Sequence, residues 1–205
     1  MMRSFIYDSL ILGLTTRWYA EVLRRLPDGL SLLDVGIGTA GALLANADLV
    51  QQKHLQVTGI DIDGDYIGRA RQRLAKSAIR DRASVHHESV YDHEGGPYDA
   101  VYFSGSFMLL PEPERALRHC AALLSPNGRL FFTQTIQKRQ IPWMETLKPA
   151  LRRVTTIDFG RVTYADEFRQ QVRDAGMALQ EFTTLQHHGN RDSCLAVAAP
   201  VDGSS

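Results

Sequence analysis

Apolar residues run along the chain in two alternating periods. Leu30 to Val35, Leu55 to Ile60, Ala83 to His87, Ala100 to Ser104 and Arg129 to Thr133 are short and rich in branched or aromatic residues, which predicts strands. Between them, Ala40 to Gln52, Gly64 to Ala78 and Glu112 to Leu124 predict helices. Repeated strand–helix units predict an α/β protein with a parallel sheet covered on both faces. A helix from Thr15 to Leu26 precedes the first strand, and Pro27-Asp28-Gly29 ends it in a turn. Past Gln134 the pattern changes. Ile136 to Asp158 holds Pro142, Pro149 and many basic residues without a strand pattern, which predicts a loop-and-helix insertion covering the sheet's carboxyl edge. Tyr164 to Ala175 returns to helix, with Gly176 placed for a left-handed cap. Ala178 to Leu185 and Cys194 to Ala199 predict two last strands joined by a polar loop, His187 to Asp192, and Val201 to Ser205 a frayed tail.

The length of 205 residues fits one domain. Its expected parts are N-terminal lid helices over 1–29, a ligand-binding core over 30–135, the insertion over 136–162, and a C-terminal helix and strands over 163–200. With 44% hydrophobic and 22% charged residues the composition is globular. Lys plus Arg and Asp plus Glu both number 23, so no basic field draws the chain to nucleic acid, and a small molecule is the expected partner. Cys120 and Cys194 lie far apart, with no Cys-x-x-Cys pair and no histidine at ligand spacing, which predicts neither disulfide nor bound metal and fits a reducing compartment. The apolar run from Phe5 to Leu14 is interrupted by Asp8 and lacks a small-residue cleavage site. The expectation is therefore no signal peptide, no membrane span and a soluble, cytoplasmic protein.

The strongest chemical signal is Leu32-Leu33-Asp34-Val35-Gly36-Ile37-Gly38-Thr39-Ala40-Gly41, a buried strand that turns through glycines into a helix. Gly36 and Gly38 let the backbone turn tightly and approach a ligand, and the free N–H groups of the helix start can receive a polar group. The glycine spacing alone also fits a nicotinamide dinucleotide. Asp34 separates the two, because an acid there opposes a pyrophosphate but suits a cation such as the ammonium of S-adenosylmethionine (SAM). Asp61, ending Thr58-Gly59-Ile60-Asp61, has the spacing of an acid that accepts both ribose hydroxyls, although an aspartate there also suits a helix cap. Ile62 can lie against one adenine face; Glu88-Ser89-Val90 offers a carboxylate for the adenine amino group and an apolar contact for the other face.

Asp34-x-Gly36-x-Gly38, Gly59-x-Asp61, Glu88, Tyr98-Asp99-Ala100-Val101 and Leu124-Ser125-Pro126-Asn127-Gly128-Arg129-Leu130 occur in order. This ordered set resembles the class I SAM-dependent methyltransferases, in the broad branch similar to the ubiquinone/menaquinone methyltransferases, over about Leu30 to Gly176. The resemblance implies a Rossmann-like class I methyltransferase fold: a seven-stranded, mostly parallel sheet with helices on both faces and the last strand antiparallel. It implies SAM as cofactor. Two positions depart from the family pattern: Ala40 stands where a third glycine is usual, and Glu88 where Asp is more frequent.

Methyl transfer from a sulfonium needs nucleophile, methyl carbon and sulfur in line, and a base only where the acceptor arrives protonated. The acceptor is expected at the carboxyl ends of the fourth and fifth strands. Ser104, Ser106 and Gln134 are the candidate polar contacts there, with Phe103, Phe107 and Tyr7 as walls. Tyr102-Phe103-Ser104-Gly105 is not the Asn/Asp-Pro-Pro-aromatic sequence used on nucleic-acid amines. Arg139, Arg152, Arg153 and Arg161 are candidates for a substrate carboxylate, or form a solvated basic face. His86 and His87 adjoin on one strand and point to opposite faces, so they cannot share a site. Tyr102 to Pro111 and Val154 to Arg161 further resemble the methyltransferase portion of ovothiol synthases, or its stand-alone 5-thiohistidine N-methyltransferase counterpart, which implies transfer to an imidazole nitrogen. Quinone precursors and small amines fit the same inventory. A nicotinamide-dependent oxidoreductase and a non-catalytic SAM-binding protein are the competing classes, and Asp34 with the Ser-Pro-Asn-Gly strand entry counts against the first.

Overall fold

The computed structural model describes residues 2–138 and 164–201, with the backbone alone for residues 2–11. Helix α1 (Met2–Arg25) leads into β1 (Ser31–Val35), then α2 (Gly41–Leu44), α3 (Ala47–Gln52), β2 (Gln56–Asp61), α4 (Gly64–Leu74) and β3 (Ala83–His87). There follow β4 (Tyr98–Ser104), a short 3-10 turn (Phe107–Leu109), α5 (Pro113–Ala122), β5 (Leu124–Gln137), α6 (Ala165–Asp174), β6 (Met177–His188) and β7 (Arg191–Pro200). The strands form one seven-stranded sheet in the order β3-β2-β1-β4-β5-β7-β6. β1 pairs in parallel with β2 and β4, and β4 with β5, whereas β7 runs antiparallel between β5 and β6. The α/β, Rossmann-like sheet with its antiparallel last strand is thus as expected. Its order reverses between β1 and β4, so a crevice opens at their carboxyl ends.

Each face of the sheet has its own core. On one, Tyr19, Val22 and Leu23 of α1 and Leu26 just after it pack with Leu32, Leu43, Val57, Tyr102 and Val197, together with Ile67, Ala70 and Leu74 of α4. The spacing of the α4 residues puts them on one stripe. On the other face, Ala116, Leu117 and Cys120 of α5 and Phe168 and Val172 of α6 cover Leu33, Val35, Val101 and Phe132. Phe103, Phe107, Phe132 and Phe168 interlock there, with Phe103 stacked on Phe132 at 5.2 Å and Phe107 edge-on to Phe132 at 5.2 Å and to Phe168 at 5.7 Å.

Several boundaries differ from expectation. The helix predicted over Ala40 to Gln52 is split at Asn46: its N–H bonds Leu43 O at 2.9 Å while its side-chain amide takes the Ala42 carbonyl at 2.8 Å, displacing a helical bond. The first helix runs from Met2, well before Thr15, and β5 extends four residues past Thr133 to Gln137. The polar loop predicted over His187 to Asp192 shrinks to Gly189 and Asn190, because its flanks pair as antiparallel strands, His187 with Asp192 and His188 with Arg191. Residues 139–163, which hold most of the predicted insertion, lie outside the described residues.

Asp99 ties together the starts of three strands. Its Oδ2 accepts from the Ser31 N–H and hydroxyl, both at 2.9 Å, and its Oδ1 from the Ser125 hydroxyl at 2.7 Å. The Ser31 N–H and the Ser125 hydroxyl, ahead of the burial that opposes them, hold the carboxyl below its ordinary pKa. A group so depressed stabilises the fold above the ordinary carboxylate pKa and loses that contribution as pH falls through its folded value. We expect Asp99→Asn to cost about 1 kcal/mol at pH 7. Urea denaturation should show the gap to wild type closing progressively below about pH 4; a pH-independent gap would contradict the assignment.

Candidate functional site

The site forms where β1, β2 and β3 end. Past Val35 the chain turns through Gly36 and Gly38, at φ +80° and +58°. Gly36 N–H bonds Ile60 O at 2.8 Å, and a side chain there would strike Ser106 Cβ at 2.5 Å, so the loop can only close with glycine. At Gly38 a Cβ would meet nothing within 4 Å, so this turn faces open space. Its N–H is held by Asp61 Oδ2 at 2.9 Å, while Asp61 Oδ1 accepts from Asp63 N–H at 2.9 Å. A carboxylate has about four lone-pair directions, so Asp61 keeps capacity for hydroxyl donors. Helix capping falls to Asp63, which accepts from the Asp65 and Tyr66 N–H groups. Ile62, next to Asp61, is 75% exposed. Ala40 takes the left-handed conformation, at φ 55°, in place of the family's glycine.

Asp34 is 0% exposed. Tyr19 of α1 donates its hydroxyl to Asp34 Oδ2, and Oδ1 has no hydrogen-bond partner. Burial raises the Asp34 carboxyl from 3.8 to about 7, against the lowering by the Tyr19 bond, and the Asp61 charge adds to the rise. Asp34 thus has one oxygen engaged by Tyr19 and one buried without a partner.

Glu88, just past β3, reaches back to His93, whose Nδ1 lies 2.6 Å from Glu88 Oε1. Ser89 takes the Tyr91 N–H at 3.2 Å, and Val90 is buried in the core. The predicted acceptor residues are divided. Ser104 ends β4 in register with Thr133, its hydroxyl beside the buried Tyr102 phenol, which bonds Thr133 Oγ1 at 2.7 Å. Ser106 donates to Val35 O and so pins the β4 turn to the glycine loop. Phe103 and Phe107 belong to the buried aromatic cluster, away from the open side. Gln134, 2% exposed, leaves both Nε2 and Oε1 unpartnered. Tyr7 lies in α1 with its side chain outside the described residues, as do Arg139, Arg152, Arg153 and Arg161 altogether. His187 is engaged by Asp192 at 2.8 Å, in a cluster that Lys138 joins at 2.9 Å from the same carboxylate. Among the described residues no group of three or more His, Cys, Asp or Glu could hold a metal ion. Among them, too, no helix is long and apolar enough to cross a membrane.

Sequence reading passed over Trp18, Tyr19 and His93. Trp18 is buried with its indole N–H unpartnered, close to Gly105. Adjacent aromatics with polar tips at the end of a predicted helix were the available signal, because such tips find partners when buried. His93 carried none, since its role depends on where the β3–β4 connection folds.

Sheet order, glycine turn and the carboxylates at three successive strand ends define a class I methyltransferase architecture. Residues 33–130 match the family described as a methyltransferase domain. Ubiquinone biosynthesis O-methyltransferases are similar: that of Xylella fastidiosa is 30% identical over 173 residues, 81% of this chain and 68% of the relative. That of Coxiella burnetii is 26% identical over 165 residues, 78% of this chain and 68% of the relative. Solved structures of like fold include the [4+2]-cyclase SpnF, with TM-score 0.73 and 19% identity over 91% of this chain and 82% of that one. Another is geranyl diphosphate C-methyltransferase from Streptomyces coelicolor A3(2), with TM-score 0.70 and 12% identity over 92% of this chain and 79% of that one. The chain belongs to the class I SAM-dependent methyltransferases. It is an enzyme that takes its methyl group from SAM and acts on a small molecule.

In the ligand-free protein the folded state binds a proton at Asp34 between about pH 4 and pH 7 that the unfolded chain does not. This group's contribution therefore falls as pH rises through that window. Asp34→Asn should flatten the slope and raise stability at pH 8 by on the order of 2 kcal/mol. Urea midpoints across pH 4–8 check this, and an unchanged slope would show that Asp34 does not titrate there.

Proposed function

We propose that the chain methylates a hydroxyl oxygen of a small aromatic acceptor of the quinone-precursor class, in the cytoplasm. The donor half rests on chemical fit. Gly38 opens on free space, Ile62 offers an apolar surface for adenine, Asp61 has capacity for ribose hydroxyls, and Glu88 suits the adenine amino group. The carboxylates of Asp61 and Glu88 give the crevice a negative field that suits a sulfonium–ammonium ligand and opposes a pyrophosphate. SAM supplies an electrophilic methyl on a good leaving group. The protein's part is to hold the acceptor in line with it, which is worth roughly 7–11 kcal/mol in favourable cases.

Gln134 carries the acceptor half. Its buried, unpartnered amide at the carboxyl end of β5 offers one donor and one acceptor, and leaving both unmade is costly. A hydroxyl matches that pair, as does the imidazole of 5-thiohistidine. The similar ubiquinone biosynthesis O-methyltransferases favour the hydroxyl. Two buried free cysteines fit a reducing compartment.

Incubation with SAM and, separately, an alkyl catechol or 5-thiohistidine should yield an O-methylated catechol by mass spectrometry. Methylation of 5-thiohistidine alone would replace the acceptor reading with the imidazole one. Asp61→Ala should weaken SAM binding by ~1–3 kcal/mol through lost ribose hydrogen bonds. Calorimetry on a folded variant showing unchanged affinity would remove the ribose assignment.

A further inference from the structure

Glu88 does not stand alone at the end of β3. Its Oε1 lies 2.6 Å from Nδ1 of His93, and Nε2 of the same ring lies 2.9 Å from the Tyr98 hydroxyl at the start of β4. His93 is 5% exposed, its ring nearly parallel to that of Tyr98, and its carbonyl accepts from His119 of α5 at 2.8 Å. The ring is thus held at both nitrogens and through its backbone. A carboxylate can only accept, so Nδ1 carries the proton toward Glu88, and in the neutral ring Nε2 accepts from Tyr98. One oxygen of Glu88 is spoken for, and the other is left for a donor arriving in the crevice.

We propose that His93, anchored by Tyr98, is the positioning residue that fixes the direction of the Glu88 carboxylate, so that the site reads the exocyclic amino group of the donor's base. This rests on the reading of Glu88 as the adenine contact. An ionised Glu88 attracts the amino group of adenine and repels the oxygen that replaces it in hypoxanthine. Without His93 the carboxylate is free to swing away from the base, and its attraction for the amino group and its repulsion of the oxygen fade together. Loss of His93 should therefore weaken binding and blur the choice of base together. A residue that merely glues the β3–β4 connection would move stability without changing the base preference.

The test is calorimetric titration of S-adenosyl-L-homocysteine and S-inosyl-L-homocysteine into the whole chain and its variants. His93→Gln places its amide where Nε2 stood, so that its oxygen can accept from Tyr98, and loses the bond to Glu88, whereas His93→Asn keeps a donor where Nδ1 stood. Wild type should prefer the adenosyl ligand. H93Q should lose about tenfold in affinity for it and narrow the preference, and H93N should restore most of both. Glu88→Gln, whose amide can also donate, should narrow the preference at least as far. If E88Q narrows it and H93Q leaves it unchanged, the role of His93 is overturned while the adenine contact stands. If E88Q leaves affinity and preference unchanged, the adenine reading falls and this inference with it. Should H93Q not fold, Tyr98→Phe must narrow the preference by a smaller factor, and an unchanged preference there overturns the proposal.

Discussion

A carboxylate buried at the centre of the sheet is the constraint around which this end of the molecule is arranged. Asp34 has no exposed surface, and the Tyr19 hydroxyl is the hydrogen bond given to it. An ionised carboxyl taken out of water without full pairing is expensive, which is why its proton is held to about pH 7. The bond to Tyr19 ties α1 to β1, and Tyr19 packs edge-on against Tyr102 at 5.0 Å, carrying the contact to β4. Charge, first helix and switch point are thereby one unit. A ligand that brings a positive charge to the crevice relieves what the fold alone leaves unbalanced.

The glycine turn depends on the same neighbourhood. Ser106 donates to Val35 O and fills the space that a side chain on Gly36 would occupy, so the β1 and β4 turns close against each other. Asp61 then holds the outer part of the loop through Gly38. These bonds set the loop's shape. Ser106 thus works as a structural clasp between the two turns.

The fold does not choose the chemistry. A [4+2]-cyclase and a geranyl diphosphate C-methyltransferase share this architecture at 19% and 12% identity. In this chain the end of β5 carries the buried, unpartnered amide of Gln134.

Alternation of strand and helix patterns, and an acid ahead of a glycine turn, were legible in the sequence because each depends on near neighbours in the chain. Val35-Gly36-Ile37-Gly38 dictates its own backbone, and Ile67, Ala70 and Leu74 dictate a buried stripe whatever lies opposite. Element limits set by distant partners were not legible. The strands running to His188 and from Arg191 look polar in sequence and pair only because β7 lies between β5 and β6. Phe107 reads as a pocket wall until α6 brings Phe168 against it. The sequence by itself determined the glycine turn and the acids near the ends of three successive strands. Tertiary structure alone decided that Asp34 is sealed beneath Tyr19 and that Glu88 is held by His93, since both contacts join segments whose meeting no local pattern encodes.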